Sequence, residues 1–431
     1  MPASLAVPMP PVADGVGLPW DVSVDDAVAA IAAARARYGD TFAIRSGDDH
    51  YLFTFSPTGV EAFYGLPEEK ASKGVADYLM LRRKLPDEIF DGRRVLPTSL
   101  FRRGDVASYL TNLDRALAHT ESELGSEGTV DLFGLTRRLG HRMGLASWAG
   151  PGCSEGTPFE RLVLAFETLD GSDAFVHPDA MAAVAASGKQ AERAALDDVV
   201  AVIETATRAS DSDDAANDDL FGRIANAWSS EPDEVRLRGI ALDVALIHIA
   251  SMSNLMAALG WALVDLLEHP LPAQRVASGD HEFAQRCALE STRLAQRSIM
   301  SRAVLAPVDL NTGDVVYRVP AGWTIATLLP LLNTSAAPGM HTWDPDRWQR
   351  HRLADAASLP SPMLVTAFGH GKHSCPAQPF SLAAMTAAMT RLLGTYEMTP
   401  RWPNYPRPVP AQIGGVARTA DPCPVDYAER G

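Results

Sequence analysis

Cysteine is scarce in this chain. Four residues in 431, Cys153, Cys287, Cys375 and Cys423, are too few and too scattered to build a disulfide framework at this length. No CxxC pair or His-rich run occurs, so the spacing of a structural zinc site is missing. Acidic residues outnumber basic ones 53 to 38, and the formal charge of -15 argues against a nucleic-acid binder while leaving small-molecule substrates open. No apolar run reaches the ~20 continuous residues of a membrane span. The start, from Met1 to Pro11, is proline-rich and neither basic nor long enough for a signal peptide or membrane anchor, which predicts a soluble, cytoplasmic protein.

Linkers and internal repeats are also missing. A chain this long would average roughly two or three domains, yet no Ser/Gly/Pro linker interrupts it. Residues 1–431 are therefore read as a single domain, with an irregular segment over 1–20. The two weakest places, the acidic stretch Ser210-Asp211-Ser212-Asp213-Asp214 and the turn at Ser187-Gly188, read as loops between helices over a site.

Helical periodicity dominates from Asp105 onward, and a helix over about Val24 to Arg37 precedes two β-rich runs. These runs, Tyr38 to Arg45 and Tyr51 to Phe55, flank Ser46-Gly47-Asp48-Asp49, a hairpin signal. The fold class is mainly α with a minor β-sheet.

Chemistry concentrates at Phe368-Gly369-His370-Gly371-Lys372-His373-Ser374-Cys375-Pro376-Ala377. From Pro376 through Leu393 the chain reads as a buried helix whose first turn begins at Pro376. Cys375 then sits at a helix N-terminus, where unpaired amides and the positive end of the dipole would lower a thiol pKa and favour the thiolate as a metal ligand. Gly369 and Gly371 let the loop turn tightly, Phe368 offers an aromatic face, and His373 a donor. The set suits one axial thiolate and one flat cofactor.

Phe368, Gly371, His373 and Cys375 resemble, in register, the haem-binding loop of the cytochrome P-450 family, with Ala377 where that family usually has Gly. Glu290-Ser291-Thr292-Arg293, in a helix over about His281 to Arg297, and Trp343-Asp344-Pro345-Asp346-Arg347-Trp348 resemble two further family segments in the right order. The resemblance implies a single-domain P-450 fold and haem b with Cys375 as its thiolate. It also implies a buried structural triad of Glu290, Arg293 and Arg347, whose loss should abolish haem incorporation. Arg302, opening a strand-like segment that ends near Asn311-Thr312-Gly313-Asp314, would join His373 in pairing with haem propionates, or else is an exposed strand charge.

The segment Glu234 to Glu268 contains no proline, and its middle is too apolar for a surface element. It resembles the family's central helix over the distal haem face, with Ala250 at the cofactor. Leu246 to Asn254 and Ile299 to Arg302 would line the pocket, with Leu246, Ile247, Ala250, Ser251, Ile299 and Met300 as the substrate face. The family's usual acid and Thr are here Ser253 and Asn254, the candidate catalytic pair. An amide cannot titrate near neutral pH, so protons need water, a side chain such as His248, the substrate, or are not required. The Ala250-Ser251 and Asn254 arrangement, with the tail from Gly414-Gly415-Val416 to Tyr427, resembles the branch of sterol 7-alpha-hydroxylases and prostacyclin synthase. A structural alternative for Asn254 is satisfying a backbone carbonyl at a helix bulge.

The resemblance implies an oxidoreductase: a haem-thiolate monooxygenase that oxidises a hydrophobic or aromatic small molecule, plausible for bacterial secondary metabolism. Electrons would come from a ferredoxin and its reductase, docking near Arg350, Arg352 and Lys372. Alternatives are a haem-thiolate isomerase, dehydratase or peroxygenase without an electron partner, and a non-catalytic haem-binding scaffold.

Overall fold

The structure is a computed structural model that describes residues 8–92, 100–210 and 220–431. Asp211 to Asp214 of the acidic stretch and the first seven residues lie outside the described residues. Residues 8–20 carry only turns and one bridge, Val12 to Ala43.

Local signals set the first elements. The side chain of Asp26 accepts from the Ala29 amide, so α1 runs Ala27–Tyr38 and begins three residues later than the periodicity suggests. Strands β1 (Thr41–Ser46) and β2 (Asp49–Thr54) pair antiparallel with Ser46 opposite Asp49. Gly47, at φ +57°, turns the hairpin as its sequence implies. Helix α2 (Pro57–Gly65) has Ser56 as its cap, and α3 (Lys73–Leu81) has Ser72 from the short strand β3 (Ala71–Ser72).

Four helices and a strand follow: α4 (Val106–Leu124), β4 (Glu127–Asp131), α5 (Leu132–Trp148), α6 (Gly156–Leu169) and α7 (Gln190–Ser210). The expected turn at Ser187-Gly188 lies just before α7. Helix α8 (Asp233–Glu268) then crosses the core for 36 residues, packed against α5, α7 and α9 (His281–Ala295). By length and composition α8 could cross a membrane, but 67% of its most apolar stretch is buried inside the protein. Two glycines allow its close approach to α5. A Cβ on Gly140 would lie 2.4 Å from Met256 Cγ, and one on Gly144 2.8 Å from Met252 Cγ.

Strands β5 (Ile299–Val304), β6 (Val308–Asn311), β7 (Val316–Val319) and β8 (Thr324–Leu328) follow. The segment expected to start at Arg302 and run on to Asn311 is two strands, beginning at Ile299 and broken near Pro307, which has no amide to donate. The five-stranded sheet has the order β1-β2-β8-β5-β3, with β2 and β8 parallel. Helix α10 (Gln378–Thr395) leads into β9 (Tyr396–Pro400), which pairs with β10 (Pro424–Glu429), itself paired to β4. The chain is thus mainly helical with small sheets, as expected.

One buried acid on α8 makes stability depend on pH. Asp265 is 3% exposed, accepts from Tyr405 Oη at 2.8 Å, and is pushed by burial up to about 6 from 3.8. The folded form therefore holds its proton where the unfolded chain has lost it, so this group's contribution to stability falls as pH rises from about 4 to about 6 and is flat above. The drop is about 3 kcal/mol. Urea unfolding of wild type and Asp265→Asn across that window should diverge by this slope, and parallel curves would refute it.

Candidate active site

The loop before α10 is built by backbone hydrogen bonds that aim one sulfur inward. The Cys375 amide donates to Phe368 O at 2.7 Å, and Gly369, at φ +81°, cannot carry a side chain because a Cβ would lie 2.4 Å from His373 O. Helix α10 begins at Gln378 rather than Pro376, since the Gln378 amide donates to Cys375 O at 3.2 Å and closes a turn over Pro376-Ala377 first. The expected depression of the thiol pKa is not found: burial pushes Cys375 up, against hydrogen bonds from the Ala377 and Gln378 amides and the charge of Lys73. A buried thiol of this kind becomes a thiolate when a cation binds at the sulfur.

A buried ion network sets this loop's position. Glu290 and Arg293 have no exposed surface and form a bidentate pair at 2.8 and 2.7 Å. Arg347 Nε reaches Glu290 Oε1 at 3.3 Å, and the Trp348 indole donates to Oε2 at 2.9 Å. Arg293 Nη1 donates to Asn333 O at 2.6 Å and Met340 O at 2.8 Å. Asn333 returns a bond to Arg293 O at 2.9 Å, donates to Thr366 O at 2.9 Å and accepts from the Thr366 amide at 2.8 Å. Thr366 Oγ1 in turn accepts from the amides of Phe368 and Gly369 at 3.1 and 2.7 Å. Asn333 and Thr366 thus link the triad residues to the thiol loop, a connection that no local sequence pattern announces.

The sulfur faces a cavity of about 910 Å³. Phe368, His373 and Cys375 stand on its loop side, with Leu246, Ile247, Ala250, Ser251 and Asn254 from α8 and Met300 from β5 on other walls. Of the predicted residues, His248, Ile249, Met252, Ser253, Ile299, Ser301, Arg302 and Gly371 do not line it. Ile299 is displaced by strand alternation, which instead places Ser298 and Met300 at the cavity; a period of two would have found Ser298. Gly371, at φ +56°, shapes the turn and is exposed. Ser253 does not reach the cavity.

Arg302 also stays off the cavity, and its expected direct contact with a cofactor carboxylate is corrected. It is 1% exposed and all five of its N-H groups are engaged. Nε donates to Ala71 O at 2.7 Å, Nη1 to Phe63 O at 3.2 Å and His373 Nε2 at 2.9 Å, and Nη2 to Leu66 O at 2.7 Å and Glu68 at 3.1 Å. His373 therefore accepts through Nε2 and carries its proton on Nδ1, and burial together with Arg302 lowers its pKa, so it is a neutral donor.

Asn254 lines the cavity and is not at a helix bulge. Helix α8 is regular there, and Asn254 Oδ1 accepts from the Val416 amide at 2.8 Å, while a Cβ on Gly415 would lie 2.4 Å from that oxygen. His248 points away from the cavity into a cluster with His141 Nδ1 at 2.9 Å and Trp148 Nε1 at 3.2 Å, and burial lowers its pKa well below the usual value. It does not line the cavity. Thr292, within the Glu290–Arg293 turn, was missed: it lines the cavity, and its buried Oγ1 has no hydrogen-bond partner among the described residues. A sulfur, an aromatic face, a neutral imidazole donor and the ammonium groups of Lys73 and Lys372 around one cavity fit a flat metal-bearing macrocycle with anionic arms.

No family model matches the chain. It is 26% identical over 209 residues to human 24-hydroxycholesterol 7-alpha-hydroxylase, covering 43% of each chain. It is also 26% identical over 230 residues to the cytochrome P450 monooxygenase pyr3 of Aspergillus fumigatus, covering 47% of this chain and 42% of that one. The match thus spans less than half the length of these relatives. Retinoic acid-bound cyanobacterial CYP120A1 has the same fold, with a TM-score of 0.74 at 17% identity over 99% of this chain and 100% of that one.

The Asn333 connection is directly testable. Asn333→Ala removes three buried hydrogen bonds and leaves the Thr366 amide without its partner, which should cost about 3 kcal/mol in chemical denaturation. A loss below about 1 kcal/mol would show that the network does not hold the loop.

Proposed function

We propose that the chain is a member of the cytochrome P-450 family, a haem-thiolate monooxygenase acting on a hydrophobic or aromatic small molecule. The observation that carries the reading is Cys375 on one side of a cavity whose opposite wall is the apolar face of α8. Haem b, the family's cofactor, fits this cavity: Cys375 would hold its iron, Phe368 and Ala250 would lie against the ring, and His373, Lys73 and Lys372 would meet its carboxylates. When bound it supplies oxygen activation, which a thiolate ligand favours by donating electron density.

The chain's own residues do the rest. Leu246, Ile247 and Met300 offer apolar surface that would bind and orient a hydrophobic substrate. Ser251 and the Nδ2 of Asn254 are the polar groups of α8 available to position a substrate oxygen or a water, since Asn254 Oδ1 is already committed to Val416. The hydroxysterol named for the human relative is of this apolar class, which supports the reading.

Electrons would come from a ferredoxin and its reductase, with Arg350, Arg352 and Lys372 as the basic docking groups. Bacterial secondary metabolism in the cytoplasm is the setting we propose, with residues 1–431 acting as one haem domain.

A second reading, an isomerase or dehydratase that needs no electrons, is favoured by Asn254 in place of a titratable or hydroxyl side chain on α8. One experiment separates the two. The haem-loaded protein is supplied with a surrogate ferredoxin, its reductase and NADPH, and candidate apolar metabolites are followed by mass spectrometry under isotopically labelled dioxygen. One labelled oxygen per product is expected; a mass-neutral or dehydrated product formed equally well without reductant would overturn the monooxygenase reading.

A further inference from the structure

The face that α8 turns to the cavity runs from Asp243 through Leu246, Ile247, Ala250 and Ser251 to Asn254, three helical turns or roughly 16 Å. Its first member is an acid, only 3% exposed, ahead of an apolar stretch. Asp243 lies about two turns before Ala250, the residue proposed above to lie against the ring, and so at the end of this face remote from the cofactor. Among the described residues the other carboxylate on the cavity is Asp77, which is half-exposed and paired with Lys73.

The sequence builds Asp243 into the wall. Gly239, one turn earlier on α8, leaves a gap that the Trp228 ring fills, since a Cβ there would lie 2.3 Å from Trp228 Cε3. Lying in that gap, the indole Nε1 donates to Asp243 Oδ2 at 2.8 Å. Gly92 approaches so closely that a Cβ on it would lie 2.7 Å from Asp243 Oδ1. The carboxylate is thereby fixed in place before a ligand arrives, which lowers the ordering cost of binding to it. A carboxylate accepts and does not donate, and it offers about four lone-pair sites, so it can keep its protein partners and still accept from a ligand. A donor that meets it in a site closed to water forms a charge-assisted hydrogen bond. An ether oxygen in the same place has nothing to donate, and a second carboxylate adds like-charge repulsion.

We propose that Asp243 sets the specificity of this cavity by accepting a hydrogen bond from a donor group, a hydroxyl or a protonated amine, at one end of an elongated apolar substrate. Leu246 and Ile247, on the next turn of α8, hold the apolar body, and the opposite end of the molecule is directed toward Ala250 and the Cys375 side of the cavity. The substrate is then an apolar alcohol or amine whose donor lies far from the position oxidised, and the corresponding long-chain carboxylate is rejected.

The inference rests on the monooxygenase reading for the word substrate, so binding is measured apart from turnover. Equilibrium dialysis of the oxidised, haem-loaded protein, with no reductant, compares 1-dodecanol, dodecylammonium, dodecyl methyl ether and dodecanoate. The alcohol or the ammonium should bind at least about tenfold more tightly than the ether, with dodecanoate the weakest, and the tighter of the two identifies the donor. Asp243→Asn, which keeps an oxygen for Trp228, should reduce that preference to about threefold and relieve the exclusion of dodecanoate. Leu246→Ala should weaken alcohol and ether by the same factor. If Asp243→Asn fails to take up haem, the wild-type series decides by itself. An ether bound as tightly as both donors, dodecanoate bound most tightly, or a donor preference unchanged in Asp243→Asn would overturn the proposal, while labelled oxygen in a product kept the monooxygenase reading. A donor preference lost in Asp243→Asn, beside products that carry no labelled oxygen, would keep the Asp243 contact and overturn that reading instead.

Discussion

Glu290 and Arg293 are withdrawn completely from water, and two charges so placed survive only if every lone pair and N-H finds a partner. The partners they find determine the rest of the site. Glu290 gathers Arg347, Trp348 and the Asp344 amide, which ties down the segment from 344 to 348. Arg293 gathers the carbonyls of Asn333 and Met340, and Asn333 passes the constraint to Thr366 and so to the thiol loop. Removing either charge would leave the other uncompensated in the core, a defect of several kcal/mol rather than a local adjustment. The position of the Cys375 sulfur is therefore a consequence of an ion pair four segments away in the chain.

The opposite wall depends on a second clamp. Asn254 of α8 fastens the C-terminal tail through the Val416 amide, and Asp170 holds the same tail through Arg418. The close approach at Gly415 means that any side chain there would displace the Asn254 carbonyl. The two regions whose resemblance to the sterol 7-alpha-hydroxylase branch is visible in sequence are thus in contact with each other.

How much of this could be read from sequence varies with the range of the interaction. The hairpin at Gly47, the helix after Cys375 and the long apolar α8 are local patterns, and all are present to within a few residues. Boundaries shifted where a cap or turn intervened, as at Asp26 and at Pro376-Ala377. Glu290 and Arg293 are one helical turn apart, so their pairing is a local property, whereas the bonds from Asn333 to Thr366 or from Val416 to Asn254 join residues that only the fold brings together. The pKa of Cys375 went the other way because a helix-end argument counts amides and dipole but cannot count burial. Arg302 is the sharpest case: a lone Arg on a strand promises a charge for a ligand, and three backbone carbonyls, Glu68 and His373 take every donor.

The central claim is that Cys375 is the iron ligand of a haem seated in this cavity. The carbon monoxide difference spectrum of the reduced, haem-loaded protein tests it most directly, compared with Cys375→Ala. The account predicts the strongly red-shifted Soret band of a thiolate-ligated haem in the wild type and its loss in the variant. A spectrum typical of histidine-ligated haem, or one unaffected by Cys375→Ala, would contradict it.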